Sequence, residues 1–452
     1  MSRGAAARLS RAVPTLRFET PLPFPPAEVL AWHRRPGALE RLTPPWERVE
    51  VVERTGTGTV GEGDRAVMRI PPGLRWVAEH HDHPDGFVDE QAEGPFSRWR
   101  HTHRFVASQA GTVIHDEIEY GPGLAAPLVN GTMAKMFAFR RPRLMEDLSR
   151  HAGVRPQHVL LAGASGLVGT ALTHFLTTGG HRVTRLVRRK PGPNEVQWSP
   201  GTDLDPGVLE GVDAVVNLAG ENIGEKAWTP ANKRAFHDSR VGTAQTLSRA
   251  IAAAPHPPRV WLNAAATGIY GDRGDEVVDE TSTLGGGYLG ELCRAWEAAA
   301  VLPLGSASRC RVVRLRIGVC FSARGGALQQ LATVAGFGLL GPIGGGRQWQ
   351  SWVAMDDLIY LIHHLLFRSD VEGVVNAVSP EPARQADLAR TLGRVLWRPA
   401  ILPVPAFAIR LFLGDFGIEL VLAGQNVRAT RLGDFRFALP SLEAAFRWEL
   451  GR

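Results

Sequence analysis

The chain has 452 residues, of which 44% are apolar and 21% charged, and its formal net charge is +6. These are the proportions of an ordinary soluble globular protein, long enough for two or three domains. The positive charge is spread along the chain, with no basic run interleaved with aromatics, so nucleic acid is excluded as a partner.

The first residues, MSRGAAARLSRAV, carry arginines but no apolar run, so no signal peptide is expected. Residues 15–125 alternate in the β manner, as in RVEVVERTG (48–56), DRAVMRI (64–70) and RWRHTHRFVA (98–107). Turn residues at short intervals predict an antiparallel sheet. PPAEVLAWHRRPGALERL (25–42) reads as a short helical pair, and 129–153 as one long helix ending at Gly153. This order predicts an α+β domain over 1–150 with the long helix packed across the sheet. After a linker at 154–157, strands of continuous apolar character (HVLLAG, DAVVNLAG, RVWLNAAA) alternate with helices. That pattern predicts an α/β domain, a doubly wound parallel sheet, over 157–385. A helical domain is expected over 386–452. Within it, 401–424 is the most apolar late stretch, but Arg410, Asp415 and Glu419 make it an amphipathic helical region and not a membrane span. Cys293, Cys310 and Cys320 show no paired spacing, which argues against disulfides or a zinc ribbon and predicts a reducing, cytoplasmic setting.

VLLAGASGLVGTAL (159–172) carries the clearest chemistry. Gly163, Gly166 and Gly169 stand between a strand and a helix, with Ala164, Ser165, Leu167 and Val168 between them. Glycine there lets the backbone turn tightly and approach a pyrophosphate at the helix N-terminus. An acid at the end of the second strand would bind the ribose hydroxyls of NAD. Here Arg188, Arg189 and Lys190 follow that strand, and no acid occurs before Glu195. An arginine fork suits a 2′-phosphate, so NADP (NADPH) is the expected cofactor. Small residues after the fourth strand, Ala219 and Gly220, leave room for the cofactor beside the backbone.

GASGLVG, VNLAGENI, DSRVGTAQTL, GIYGDRGDE, CRAWEAAA and GGGRQWQSWVAMDDL together make 157–380 resemble the atypical, epimerase-like branch of the extended short-chain dehydrogenases/reductases. The tail from FGIELVLAGQNV onward resembles the C-terminal domain of unknown function that accompanies that branch. ERLTPPWERVEVV, GPFSRWRHTHRF and DEIEYG make 18–150 resemble the SRPBCC or START-like helix-grip family. The resemblance implies a Rossmann domain preceded by a ligand-binding domain, with Leu218, Ala219 and Arg240 also lining the cofactor site. It further implies a small-molecule substrate of nucleotide-sugar-like or other carbonyl type, and a hydrophobic ligand for the first domain.

The related enzymes use a Tyr-x-x-x-Lys pair with an upstream hydroxyl. Tyr288 stands at the tyrosine place, but Leu292 stands where lysine is needed, and Thr267 is the one candidate hydroxyl. Without a nearby cation Tyr288 keeps a pKa near 10 and is a poor base. Asp272, Arg273, Asp275 and Glu276 lie beyond a strand end, and Arg347, Trp349 and Trp352 fall in one loop suited to an anionic or ring-shaped substrate. Cys293 is expected to be buried and inert. His101 and His103 share a strand face, and His80, His81 and His83 with Glu79 and Asp82 lie upstream. No metal is expected, and these histidines are read as hydrogen-bonding or pocket-lining groups. Two readings remain open: an NADP-dependent epimerase or reductase, and an NADP-bound sensor or scaffold with a degenerate site.

Overall fold

The computed structural model describes residues 14–56, 59–122, 126–303 and 310–452, so the expectation about the first thirteen residues lies outside them. The chain divides into two compact units, Met1–Ser149 and Arg150–Arg452.

Among its described residues the first unit is one antiparallel sheet and three α-helices. Its elements are β1 (Thr15–Leu22), α1 (Pro26–Arg34), α2 (Ala38–Leu42), β2 (Glu50–Arg54), β3 (Arg65–Ile70), β4 (Leu74–His83), β5 (Gly86–Glu93), β6 (Trp99–Ser108), β7 (Gly111–Tyr120) and α3 (Val129–His151). The strand order is β1-β7-β6-β5-β4-β3-β2. In β7 every second residue is buried, the signature of a sheet with one covered face. Leu144 and Leu148 of α3 pack with Trp32, Phe87, Phe105 and Ile114, and Phe137 stacks on Phe18 at 4.0 Å. A buried bidentate pair, Arg41 with Asp147, fastens α2 to α3 at 2.8 and 2.5 Å.

The second unit holds a seven-stranded parallel sheet. In chain order its elements are β8 (His158–Ala162), α4 (Leu167–Thr178), β9 (Arg182–Val187), β10 (Glu195–Gln197), β11 (Ala214–Asn217), α5 (Pro230–His237), α6 (Thr243–Ala253), β12 (Val260–Ala266), β13 (Val277–Val278), α7 (Gly287–Ala299), β14 (Arg311–Ile317), β15 (Val319–Phe321), α8 (Gly326–Gly336), β16 (Trp349–Gln350), β17 (Trp352–Ala354), α9 (Met355–Phe367), β18 (Gly373–Ala377), β19 (Ala383–Arg384), α10 (Gln385–Leu396), α11 (Ala406–Phe416), β20 (Asn426–Val427) and α12 (Leu442–Leu450). The sheet order β10-β9-β8-β11-β12-β14-β18 reverses direction between β8 and β11. Ligands bind at such a switch point in open α/β sheets. The central strands are apolar on both faces because both are covered. Leu161, Val216 and Val313 face α4 and α9, while Leu160, Val215 and Trp261 face α6 and α7.

Residues 386–452 fall within this same compact unit. Leu388 and Leu392 of α10 and Phe446 of α12 share a core with Leu328 of α8 and Trp352 of β17. The 401–424 region is helical but none of the residues of α11 is buried, and the backbone kinks at Gly414. Among the described residues no helix is long and apolar enough to cross a membrane.

Candidate cofactor and substrate site

The turn between β8 and α4 is built by two glycines with different tasks. Gly163 has φ +81°, and a Cβ there would lie 2.6–2.7 Å from the Leu218–Ala219 backbone. A Cβ on Gly169 would meet the Gly163 carbonyl oxygen at 2.2 Å, so that residue sets how closely α4 approaches β8. Gly166 caps α4 without any side-chain hydrogen bond, leaving the helix N-terminus open. Two buried asparagines shape the facing edge. Asn217 Nδ2 donates to Asn263 Oδ1 at 2.6 Å, and Asn217 Oδ1 accepts the Ala219 N–H at 3.1 Å. Sequence reasoning missed this pair, in which Asn217 at the end of β11 stands in register with Asn263 inside the adjacent β12.

These edges bound a cleft of about 610 Å³ lined by Gly163 to Gly166, Leu218 to Gly220, Arg185, Arg188 and Arg189. Leu167 and Val168 begin α4 and pack partly against the core, and Gly169 is buried behind them. Glu195, the acid expected to lie too late to matter, also lines the cleft. Arg185 and Arg189 hold its carboxylate at 2.8 and 2.7 Å. Burial opposes ionisation of Glu195, but the Gly192 N–H and the two guanidinium groups outweigh it and hold its pKa below the usual value. Arg188 makes no hydrogen bond or ion pair among the described residues. The cleft therefore presents one uncommitted guanidinium beside a neutralised acid, which fits an additional phosphate. Arg240 does not line the cleft. It packs behind Gly220, donates to the Glu221 and Phe236 carbonyls at 2.9 and 3.2 Å, and stacks on Trp296.

Tyr288 sits in the first turn of α7. Its N–H and that of Leu289 donate to the Glu419 carboxylate at 3.0 and 2.8 Å, so an acid from 417–422 caps the helix. Its hydroxyl donates to the Lys233 carbonyl at 2.9 Å, and its ring packs edge-on to Trp228. The expectation of no nearby cation is corrected here. Lys233 Nζ lies 4.8 Å from the Tyr288 ring centre, reaching it from α5 and held by Asp415 at 2.8 Å. Nothing in the spacing around Tyr288 points to a lysine so far upstream. Burial nonetheless pushes the phenol above its usual value, with Arg240 opposing. Leu292 is buried, and Arg294 donates to the Gly285 carbonyl at 2.6 Å.

Thr267 is buried in the turn that follows β12. Three residues on, Tyr270 is fully buried, and its hydroxyl donates to Asn376 Oδ1 and accepts from Arg316, each at 2.8 Å. Arg316 also grips Glu297 with two hydrogen bonds, at 2.6 and 2.8 Å. Cys293 is buried, and burial pushes its thiol up to about 12, so it is no nucleophile.

The two polar loops singled out in the sequence meet in a second cleft of about 560 Å³, lined by Asp272, Asp275, Arg347, Arg384 and Arg390 among others. Arg384 lies 4.0 Å above the Trp349 ring and donates to Asp275 at 2.7 Å, while the Trp349 indole reaches the same carboxylate at 3.3 Å. Arg273 turns away to Thr283. Trp352 is a correction: it is fully buried, donates to the Glu381 carbonyl, and belongs to the core and not to a substrate site. Trp349 lies on β16, paired with β19, and Trp352 on β17, paired with β15, a separation that sequence proximity alone could not resolve.

Comparison with known proteins places these features. Residues 159–377 match the NAD dependent epimerase/dehydratase family, 22–149 match polyketide cyclase / dehydrase and lipid transport, and 404–449 match a domain of unknown function. An epimerase family protein of Mycobacterium bovis is 39% identical over 270 residues, 59% of this chain and 88% of that one. The crystal structure of a nucleoside-diphosphate sugar epimerase from Corynebacterium glutamicum aligns over 96% of this chain and 90% of its own, at 34% identity and a TM-score of 0.80. That of human epimerase family protein SDR39U1 with NADPH aligns over 65% of this chain and 99% of its own, at 35% identity and a TM-score of 0.59.

Proposed function

The chain belongs to the NAD-dependent epimerase/dehydratase family, and from that premise we propose that it is an NADP(H)-dependent epimerase or reductase acting on an anionic, nucleotide-sugar-like or small carbonyl substrate. The carrying observation is the cleft at the sheet's switch point, where Gly163 and Gly166 open the backbone to a pyrophosphate and Arg188 stands uncommitted. The NADPH-bound human relative supports the same cofactor. Titration calorimetry tests this reading. NADPH is expected to bind more tightly than NADH, and Arg188→Ala to weaken NADPH by roughly 10- to 100-fold, the worth of one charged phosphate contact. Equal affinities for the two cofactors would remove the assignment.

Bound nicotinamide supplies hydride transfer. The protein's own part is to hold the substrate and to place a proton donor. Arg347, Arg384 and Arg390 line the second cleft together with Asp272, Asp275 and Asp387, and Arg384 and Arg390 are paired with two of those acids, which leaves Arg347 to meet an anionic group of the substrate. Tyr288 is the proton donor we propose, with Lys233 beside its ring and Thr267 in the turn that packs on α7. A phenol raised by burial is a usable acid and a poor base at neutral pH. Tyr288→Phe is therefore expected to leave NADPH binding unchanged and to lower turnover on a panel of carbonyl and nucleotide-sugar substrates by less than the roughly 100-fold that a full acid–base group contributes. A loss of several hundredfold, matched in Lys233→Met, would show instead that Lys233 ionises the tyrosine.

One observation favours a second reading, an NADP-bound sensor or scaffold. The Tyr288 hydroxyl is already committed to the Lys233 carbonyl, and Leu292 stands where a lysine four residues after the tyrosine would be. Cofactor binding with no turnover on any substrate of the panel would select it. A hydrophobic ligand for the first unit is part of either reading, supported by the match to a family of lipid transport proteins.

A further inference from the structure

Among the described residues, two groups bring three metal-ligating side chains together. One lies in the first unit, on the covered face of its sheet. Asp89 on β5 pairs across the strands with His101 on β6 and with His80 on β4, and His103 pairs with Asp116 on β7. Cross-strand neighbours on one face have Cβ atoms about 5 Å apart, so the register itself gathers these groups. The donor atoms of Asp89, His101 and His103 lie within 4.8 Å of one another.

The hydrogen bonds around them are of the supporting kind. Asp116 Oδ1 lies 3.0 Å from His101 Nε2 and 2.6 Å from His103 Nδ1. A single buried carboxylate thus takes one ring nitrogen of each histidine. That turns His101 Nδ1 and His103 Nε2, the latter hydrogen-bonded to Asp89, away from Asp116, the arrangement by which a carboxylate orients metal-bound imidazoles. Asp89 divides its two oxygens in the same way. Oδ1 lies 2.5 Å from His80 Nδ1, and Oδ2 faces His103 Nε2 at 3.2 Å. That last distance is close to the edge of a tetrahedron around an ion with ligand bonds of about 2.0–2.1 Å, which is roughly 3.3 Å.

We infer that Asp89, His101 and His103 form a mononuclear site for a divalent transition metal ion, oriented by Asp116 and His80. Two imidazoles and one carboxylate are the donor set of zinc and of non-haem iron sites, and three protein donors leave a position for water or a ligand oxygen. The histidines are buried, and the Asp89 side chain keeps 25% of its exposure. The spacing of these residues along the chain did not announce a site, because the ligands come from two strands and their supports from two more.

The test uses the full chain, stripped with a chelator and titrated with cobalt(II). One equivalent is expected to bind with a visible absorption band, to be displaced by zinc, and to raise the unfolding temperature. Asp89→Asn and His101→Phe are expected to weaken cobalt roughly 100-fold or more, and Asp116→Asn about 10- to 100-fold. His363→Leu alters the other cluster, His151, His181 and His363, and is expected to leave the band and stoichiometry unchanged. The wild-type titration alone can overturn the inference: no saturable cobalt binding means that the cluster is a closed hydrogen-bonded network. Binding that survives Asp89→Asn, or that is lost in His363→Leu, overturns it equally. Circular dichroism of each variant separates lost ligands from lost fold.

Discussion

Gly169→Ala is expected to weaken NADPH binding by roughly 100-fold or more, equivalent to about 2.7 kcal/mol, and to lower the unfolding temperature. The direction runs against helix propensity, since alanine in a helix normally gains about 0.5–1 kcal/mol over glycine. Here the added methyl would stand 2.2 Å from the Gly163 carbonyl oxygen and 2.9 Å from the Ala164 Cα. Both are backbone atoms of the pyrophosphate turn and cannot rotate aside. Relief requires α4 to move off β8, which widens the turn and carries the N-terminal amides of the helix away from the phosphates. Gly131→Ala is the control. It too is helical, and a Cβ there meets nothing within 4 Å. That variant is expected to be neutral or slightly stabilising, with NADPH affinity unchanged. Calorimetry and thermal unfolding of both variants check the pair. Unchanged affinity in Gly169→Ala would mean that the turn does not grip the cofactor.

The fold was legible in the sequence because two periodicities do different work. Alternation in 112–120 reported a sheet covered on one side, and β7 has that burial pattern residue by residue. Continuous apolar runs such as HVLLA reported a sheet covered on both sides, as β8 is. The glycine turn was equally legible, since its geometry is local and forbids side chains at Gly163 and Gly169. What stayed hidden depended on contacts between distant segments. Lys233 meets Tyr288 across 55 residues, Asp275 meets Arg384 across 109, and Glu419 caps α7 from 131 residues away. Trp349 and Trp352 show the converse limit. They are three residues apart, yet one stacks under Arg384 at a cleft and the other is sealed in the core.

Arg316→Met is expected to destabilise the protein by about 3–5 kcal/mol, the cost of leaving a buried charge uncompensated. Arg316 and Glu297 are exposed by only 3% and 6%, and the guanidinium also donates to the Tyr270 hydroxyl. Removing it strands the Glu297 carboxylate between β14 and α7, and it leaves Tyr270 with only its bond to Asn376. Burial already raises the Tyr270 phenol, and loss of the opposing Arg316 charge raises it further, so the phenol stays neutral. The double variant Arg316→Met/Glu297→Leu removes the stranded charge, and buried ion pairs replaced by apolar groups are often neutral or better. It is expected to recover most of the loss, leaving a coupling energy of several kcal/mol between the two sites. Chemical unfolding of the wild type, both single variants and the double variant measures this. Additive losses would show that the pair contributes as two independent side chains, with no shared cost of burial.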